Sequence, residues 1–211
     1  MRRFALTVAA LLVSGMAAAP AQAAWSYYAC PGDNFASQFP DKPVRADFRF
    51  SMPRHGLALS AHTYTATVDN IIYKMTVADY SDRAMDGASI LEEAMFQHTE
   101  ADDHGLRNGK IVGNDISRIE PVVRGATYGR RITMDLPNNG GRNLTTFYFR
   151  DGHLYEQSVQ ILPANGDYGS PNGSRFVESL LFNLTRLSDE AGGVPPNIEG
   201  CGTQIKAFTF K

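Results

Sequence analysis

The chain has 211 residues, of which 20 are Lys or Arg and 22 are Asp or Glu, so its formal net charge at pH 7 is −2. This length is typical of one folded domain. Because the sequence has neither an excess of basic residues nor a long run of like charges, its composition excludes a nucleic-acid-binding protein.

We predict that residues 1–23 form a secretory signal peptide. Arg2 and Arg3 precede an apolar run over residues 4–13, and residues 21–23 read Ala-Gln-Ala, which fits a small-x-small cleavage site. The alternative is a membrane anchor, but a spanning helix needs about 20 apolar residues, and this run is interrupted soon after Val13. Cleavage removes Arg2 and Arg3, which leaves 18 basic against 22 acidic residues and a net charge of −4. The expected mature protein is periplasmic or secreted, with no stable membrane span.

The sequence has two cysteines, Cys30 near the mature start and Cys201 near the end. Two thiols in an oxidising compartment tend to pair, and both cysteines lie in Gly- or Pro-rich surroundings that suit a loop staple. The alternative is a reactive or metal-binding thiol. We predict a Cys30–Cys201 disulfide that ties a C-terminal extension, residues 188–211, to a domain over residues 24–187.

The first half of the mature chain is predicted to form strands followed by one helix. Alternating and β-branched residues predict strands at Phe35–Phe39, Val44–Ser51, Leu59–Val68 and Ile71–Tyr80. Asp69 and Asn70 are a turn signal between the last two strands, which predicts a β-hairpin. Apolar residues at helical spacing then predict a helix from Asp86 to Glu100, with Asp86 or Ser89 as its N-cap.

The second half repeats this order. Strands are predicted at Leu106–Ile119, Val122–Leu136, Leu144–Arg150 and His153–Leu162, with a short β-like end at Ile205–Phe210. Asp151 and Gly152 predict a tight hairpin turn between the third and fourth. A helix is predicted to begin after Ser170, with Pro171 at its first position, and to continue to Leu181. Strands joined by hairpins, with the helices set apart, indicate an α+β fold with a mostly antiparallel sheet.

Four short motifs carry a resemblance to a known family. They are Phe35-x-x-x-Phe39-Pro40-x-x-Pro43, Val77–Tyr80, the aromatic hairpin Phe147–Tyr155 and Arg175–Leu180. Together they resemble PsbP-like exported bacterial proteins, whose fold is shared with the extrinsic PsbP subunit of the oxygen-evolving photosystem. The resemblance covers residues 35–184. It implies an α/β/α sandwich and a binding or accessory role, and it carries over no catalytic residues.

Motifs for chemistry are missing from the sequence. The five histidines (His55, His62, His98, His104 and His153) lack the spacing of a zinc helix, and no Gly-x-Ser-x-Gly elbow occurs. Asp102-Asp103-His104 is interpreted as a solvated turn. We therefore assign no catalytic, cofactor-binding or metal-ligating residue and expect no cofactor, although carboxylates that meet only in the folded chain can still act as acid and base.

Two sets of side chains are candidates for binding. The aromatic set is Trp25, Tyr27, Tyr28, Phe147, Tyr148, Phe149 and Tyr155. Alternation sends Phe147 and Phe149 to one face of the sheet and Tyr148 to the other, so we expect core on one side and half-exposed aromatics on the other. The alternative is a binding surface for a partner or an apolar ligand. The arginine set is Arg124, Arg130, Arg131, Arg142 and Arg150, which form a solvated face or receive an anion.

The expected function is that of an exported, non-enzymatic periplasmic accessory or binding protein, with an unknown protein or small molecule as its partner. The alternative is an envelope hydrolase whose site is assembled only in space.

Overall fold

The computed structural model describes residues 25–100, 108–119, 127–182 and 198–201. In the first range the strands are β1 (Ser26–Cys30), β2 (Phe35–Phe39), β3 (Val44–Met52), β4 (Leu57–Val68) and β5 (Ile71–Asp79), followed by helix α1 (Gly87–Glu100). The later strands are β6 (Lys110–Ile119), β7 (Thr127–Asp135), β8 (Arg142–Arg150), β9 (His153–Ile161), β10 (Leu181–Phe182) and β11 (Ile198–Gly200). Helix α2 (Pro171–Val177) lies between β9 and β10.

Seven strands form one large antiparallel sheet in the order β3-β4-β5-β9-β8-β7-β6. Its two tight hairpins turn at Asp69-Asn70, with φ of 52° and 59°, and at Asp151-Gly152, with φ of 49° and 77°. Two-residue hairpin turns need this left-handed conformation, which Asn, Asp and Gly tolerate. Both predicted hairpins and the mostly antiparallel α+β class are confirmed.

The remaining strands form a small sheet in the order β10-β2-β1-β11, with β11 parallel to β1. Its last strand leads into Cys201, whose backbone N–H donates to the Ala29 carbonyl at 3.1 Å. The expected disulfide is present, because Cys30 and Cys201 are bonded with their Cα atoms 5.0 Å apart. Both cysteines are buried. The start and the end of the described chain therefore share one sheet.

The two faces of the large sheet are covered by different elements. On one face, which we call the helix face, Ile90 of α1 joins a buried cluster with Phe147 of β8. The opposite face, called the small-sheet face, is covered by α2 and the small sheet. There the Phe176 ring packs edge-on against Phe39 and Tyr73, with ring centroids 4.9 and 5.4 Å apart. The strand periodicity of two thus supplies apolar side chains to both faces.

The small sheet as a whole was not predicted, although its strand β2 was, at Phe35–Phe39. Strand β1 occupies residues in which the sequence indicated only an aromatic cluster, and it pairs with the nearby β2 and with the distant β11. Helix α2 begins at Pro171 as predicted but ends at Val177, not at Leu181. Leu181 instead pairs with Ala36 of β2, so cross-strand pairing overrides helical spacing at this point.

Several predictions fall outside the described residues. They concern the signal peptide (residues 1–23), the turn at residues 102–104, Arg124 and the β-like end at residues 205–210. In the part of the chain that the structure describes, neither helix has the length and apolar character that crossing a membrane requires.

Candidate functional site

A groove opens on the helix face between α1 and the β6–β7 edge of the large sheet. Its volume is 430 Å³, within the range of ~300–1,000 Å³ typical of small-molecule sites. The helix wall is formed by Ala88, Leu91, Glu92, Met95, Phe96 and Thr99, and the strand wall by Ile111, Arg130 and Ile132. We call this cavity the α1 groove. Its walls are mostly apolar, with one cation and one carboxylate.

The α1 groove exists because one helix cannot cover seven strands. Strands about 4.8 Å apart give the large sheet a width of roughly 29 Å, whereas a helix with its side chains is only about 10–12 Å across. On the helix face beyond α1, Ile111, Ile116 and Tyr128 remain 47%, 72% and 59% exposed. Ile111 pairs with Met134, and Ile116 pairs with Arg130. Since paired residues project to the same side of a sheet, both isoleucines lie on the helix face. The uncovered margin is therefore apolar.

The two flanks of α1 have different roles. Ile90, Ala94 and His98 are buried against the sheet, whereas the neighbouring stripe, with Leu91 and Met95, is only partly buried and lines the α1 groove. Asp86 fixes the start of the helix by accepting a hydrogen bond from the Ser89 backbone N–H at 3.0 Å. Of the two predicted N-caps, Asp86 fills the role.

Arg130 is the cation of the α1 groove. One Nη2–H donates to Asn114 Oδ1 at 2.8 Å. Its Nε–H is buried and has no acceptor among the described residues. A guanidinium carries five N–H donors, and here no carboxylate of the described chain pairs with it. Glu92, on the opposite wall, is exposed to solvent.

The predicted arginine cluster does not form one patch. Strand alternation places Arg130 on the helix face and Arg131 on the other. Arg131, Arg142 and Arg150 are each paired with a carboxylate, on Glu178 at 3.2 Å, Asp135 at 2.8 Å and Asp151 at 3.2 Å respectively. Only Arg130 faces the α1 groove, so the expectation of a shared anion-binding face is wrong for the described arginines.

The predicted aromatic set also has a different role from a partner surface. Phe147 and Phe149 point to the helix face and Tyr148 to the small-sheet face, as alternation predicts. The expectation of half-exposed aromatics on one side is wrong, because Tyr148 and Tyr155 are 2% and 1% exposed. The small sheet, unseen in the sequence, covers them.

A second polar centre lies on the small-sheet face around Asp33. His62 Nδ1 is 2.8 Å from Asp33 Oδ1, Tyr64 donates its hydroxyl to the same carboxylate, and Tyr155 donates to the Asp33 carbonyl at 3.1 Å. Burial, with the Asp33 carboxylate beside it, raises the pKa of Tyr64. The second ring nitrogen of His62 lies 3.8 Å from Asp47. This pair of carboxylate and imidazole resembles the base half of a hydrolytic triad, but no hydroxyl or thiol of a described residue is hydrogen-bonded to His62.

A third polar centre is buried under α1. His98 Nδ1 lies 3.1 Å from Glu156 Oε1, and His98 Nε2 lies 2.9 Å from Asn143 Oδ1. Asn143 Nδ2 donates to Ser158 Oγ at 2.9 Å, and Thr145 bonds to both. All five residues are buried. Because these side chains bond to one another, the network anchors α1 to β8 and β9. None of the five residues lines the α1 groove.

Sequence reasoning missed this network although a signal was present. Asn143 and Thr145 alternate on one strand, and Glu156 and Ser158 on the next, so both pairs face the same side of a predicted hairpin.

Among the described residues no group of three or more His, Cys, Asp or Glu is placed to hold a metal ion.

The fold has a solved counterpart. The structure is similar to the solution structure of cyanobacterial PsbP (CyanoP) from Synechocystis sp. PCC 6803, with a TM-score of 0.50 and 11% sequence identity. The similarity covers 81% of this chain and 99% of the other. No family model matches the chain, and neither does any curated protein sequence. The fold is therefore PsbP-like, as the sequence motifs indicated.

Proposed function

We propose that this protein is an exported, non-enzymatic binding protein of the periplasm and that the α1 groove receives its ligand. The observation that carries the proposal is the groove itself, a 430 Å³ opening with apolar walls beside an exposed apolar margin. Exposed apolar surface of this kind typically marks a binding site. The polar centres around His62 and His98 support a structural role for both histidines, since each bonds to residues of other elements of the fold.

The remaining assignments belong to the same proposal. Residues 1–23 are removed as a signal peptide, residues 24–187 form a domain with α1 and α2 on opposite faces in an α/β/α sandwich, and residues 188–211 are an extension. The disulfide from Cys30 to Cys201 supports this arrangement because it suits an oxidising compartment. Cell fractionation and mass spectrometry of the released protein test it, with a mature N-terminus near Ala24 as the expected result.

Binding is tested with the neutral apolar dye N-phenylnaphthylamine, whose fluorescence rises in an apolar site. The mature protein should bind it saturably, and Ile111→Asp should abolish the signal because it places a charge in the strand wall. Val44→Asp is the matched control, since Val44 is also exposed and β-branched but lies on the opposite edge strand. Equal loss in both variants, or no saturable binding by the wild type, contradicts the proposal.

The second candidate is an envelope hydrolase, favoured by the contact between Asp33 and His62. In that role His62 acts as a base through Nε2, and Asp33 fixes the orientation of the ring through Nδ1. Ester, peptide, phosphate and glycoside substrates are offered to the mature protein, and any turnover is compared in His62→Ala and His153→Ala. Turnover lost only in His62→Ala would replace the binding proposal with this one.

A further inference from the structure

We infer that the ligand of the α1 groove is an amphiphilic monoanion, a long alkyl chain ending in a single carboxylate whose head binds Arg130. This inference rests on the proposed function of the groove and adds the chemical class of its occupant. It starts from Arg130, a partly exposed cation that lines a mostly apolar cavity and has no carboxylate partner among the described residues.

Arg130 is set apart by what it lacks. It shares with Arg131 a buried Nε–H that has no acceptor among the described residues. Arg131, however, is neutralised by Glu178 at 3.2 Å, whereas the contact of Arg130 within the described chain is to the neutral amide of Asn114 at 2.8 Å. A carboxylate is the natural partner for such a group, because it accepts two parallel N–H bonds from a guanidinium.

The rest of the groove selects the body of the ligand. Leu91, Met95 and Phe96 form most of the helix wall, and the strand wall adds Ile111 and Ile132. The helix wall runs from Ala88 to Thr99, which is about 16 Å along the helix axis. An elongated apolar chain fits this shape, and a flexible Met side chain adapts to it.

Charge limits the head group. Glu92 is the carboxylate on the solvent side of the same groove. Arg130 and Glu92 are the one cation and the one anion among the described lining residues, so a second negative charge on the ligand finds no second cation among them. A monoanion is therefore favoured over a phosphate monoester or another dianion.

The test compares two ligands with the same tail. Dodecanoate and dodecanol, both below the concentration at which they aggregate, displace bound N-phenylnaphthylamine from the mature protein. We expect dodecanoate to compete at least about tenfold more strongly, as a charge-assisted hydrogen bond implies. In Arg130→Met the advantage should disappear while dodecanol binds as before. Arg130→Lys keeps the charge without the fork and should retain part of it.

Arg131→Met is the matched control, because it removes the adjacent arginine from the opposite face and should leave the ratio unchanged. Circular dichroism of each variant verifies that it is folded. Equal competition by dodecanoate and dodecanol in the wild type, or an unchanged ratio in Arg130→Met, overturns the inference while the apolar groove keeps its proposed role. Failure of the dye and both amphiphiles to bind overturns the proposed function and the inference together.

Discussion

The buried contact between His98 and Glu156 makes a sharp prediction about stability. Their side chains are 3% and 9% exposed, and Nδ1 and Oε1 lie 3.1 Å apart. His98→Leu removes the imidazole that this buried carboxylate contacts, and losing one member of a buried charge-assisted pair costs about 3–5 kcal/mol. Glu156→Leu should cost less, because the imidazole keeps its second contact, between Nε2 and Asn143 Oδ1 at 2.9 Å. The double variant replaces both by apolar groups and should recover much of the loss.

The size of the coupling follows from the distance. The contact is buried and 3.1 Å long, and a hydrogen bond to a charged group contributes about 1.5–3 kcal/mol net. A non-additivity of at least about 2 kcal/mol in the double-mutant cycle is the expected result, near the upper end for contacting residues.

Urea unfolding followed by circular dichroism measures the four free energies of unfolding. The exposed pair of Arg142 and Asp135, 2.8 Å apart with side chains 34% and 43% exposed, provides the control cycle. Its coupling should stay below about 1 kcal/mol, because solvent screens exposed pairs. If the His98 and Glu156 substitutions add within about 0.5 kcal/mol, the buried network does not anchor α1 as described.

Three further predictions concern the framework around the α1 groove. Removal of the Cys30–Cys201 disulfide by alanine substitution should lower the free energy of unfolding by about 2–5 kcal/mol, since the bond closes a loop with a sequence separation of 171 residues. A loss under about 1 kcal/mol in urea unfolding would contradict this prediction. Gly129→Ala should lower the free energy of unfolding by about 1–3 kcal/mol in the same assay, because a Cβ there would overlap the neighbouring strand. Gly113→Ala on the edge strand is the control: its Cβ would meet nothing closer than 3.4 Å, so the loss of stability should be small. Burial raises the pKa of Tyr73 from 10.0 to about 12. Between these pH values the folded state holds a proton that the unfolded state loses, so the free energy of unfolding should fall as the pH rises. In a titration followed by the ultraviolet absorbance of tyrosinate, Tyr73→Phe should show one fewer tyrosine that ionises near pH 12, and an unchanged titration would refute the assignment.

Local signals accounted for most of the large sheet. The turns at Asp69-Asn70 and Asp151-Gly152 depend on residues that adopt positive φ readily, so the sequence alone predicts both hairpins. The small sheet could not be predicted in the same way. Strand β11 pairs with β1 across about 170 residues. Short strands have too little periodicity for the sequence to indicate such a distant pairing.

The candidate site shows the same division. Helical spacing predicted the apolar stripe of α1, including Leu91 and Met95, but could not tell the buried flank from the flank that lines the α1 groove. That distinction depends on where the helix lies across the sheet. Likewise, alternation separates Arg130 from Arg131, yet the carboxylate that pairs with Arg131 is Glu178, 47 residues away along the chain.

The two faces of the large sheet are unequal, and this inequality supports the proposed binding site. The small-sheet face is closed by a second sheet and α2, and its large tyrosines are buried. Within the described residues the helix face is covered by α1, and the exposed apolar side chains of Ile111, Ile116 and Tyr128 lie on that face. Water-exposed apolar area costs about 25 cal/mol per Å² relative to its burial, so a ligand gains most free energy on the helix face. Hydrogen exchange should accordingly slow in α1, β6 and β7 when an amphiphile binds, and protection confined to the small sheet would place the site on the wrong side of the molecule.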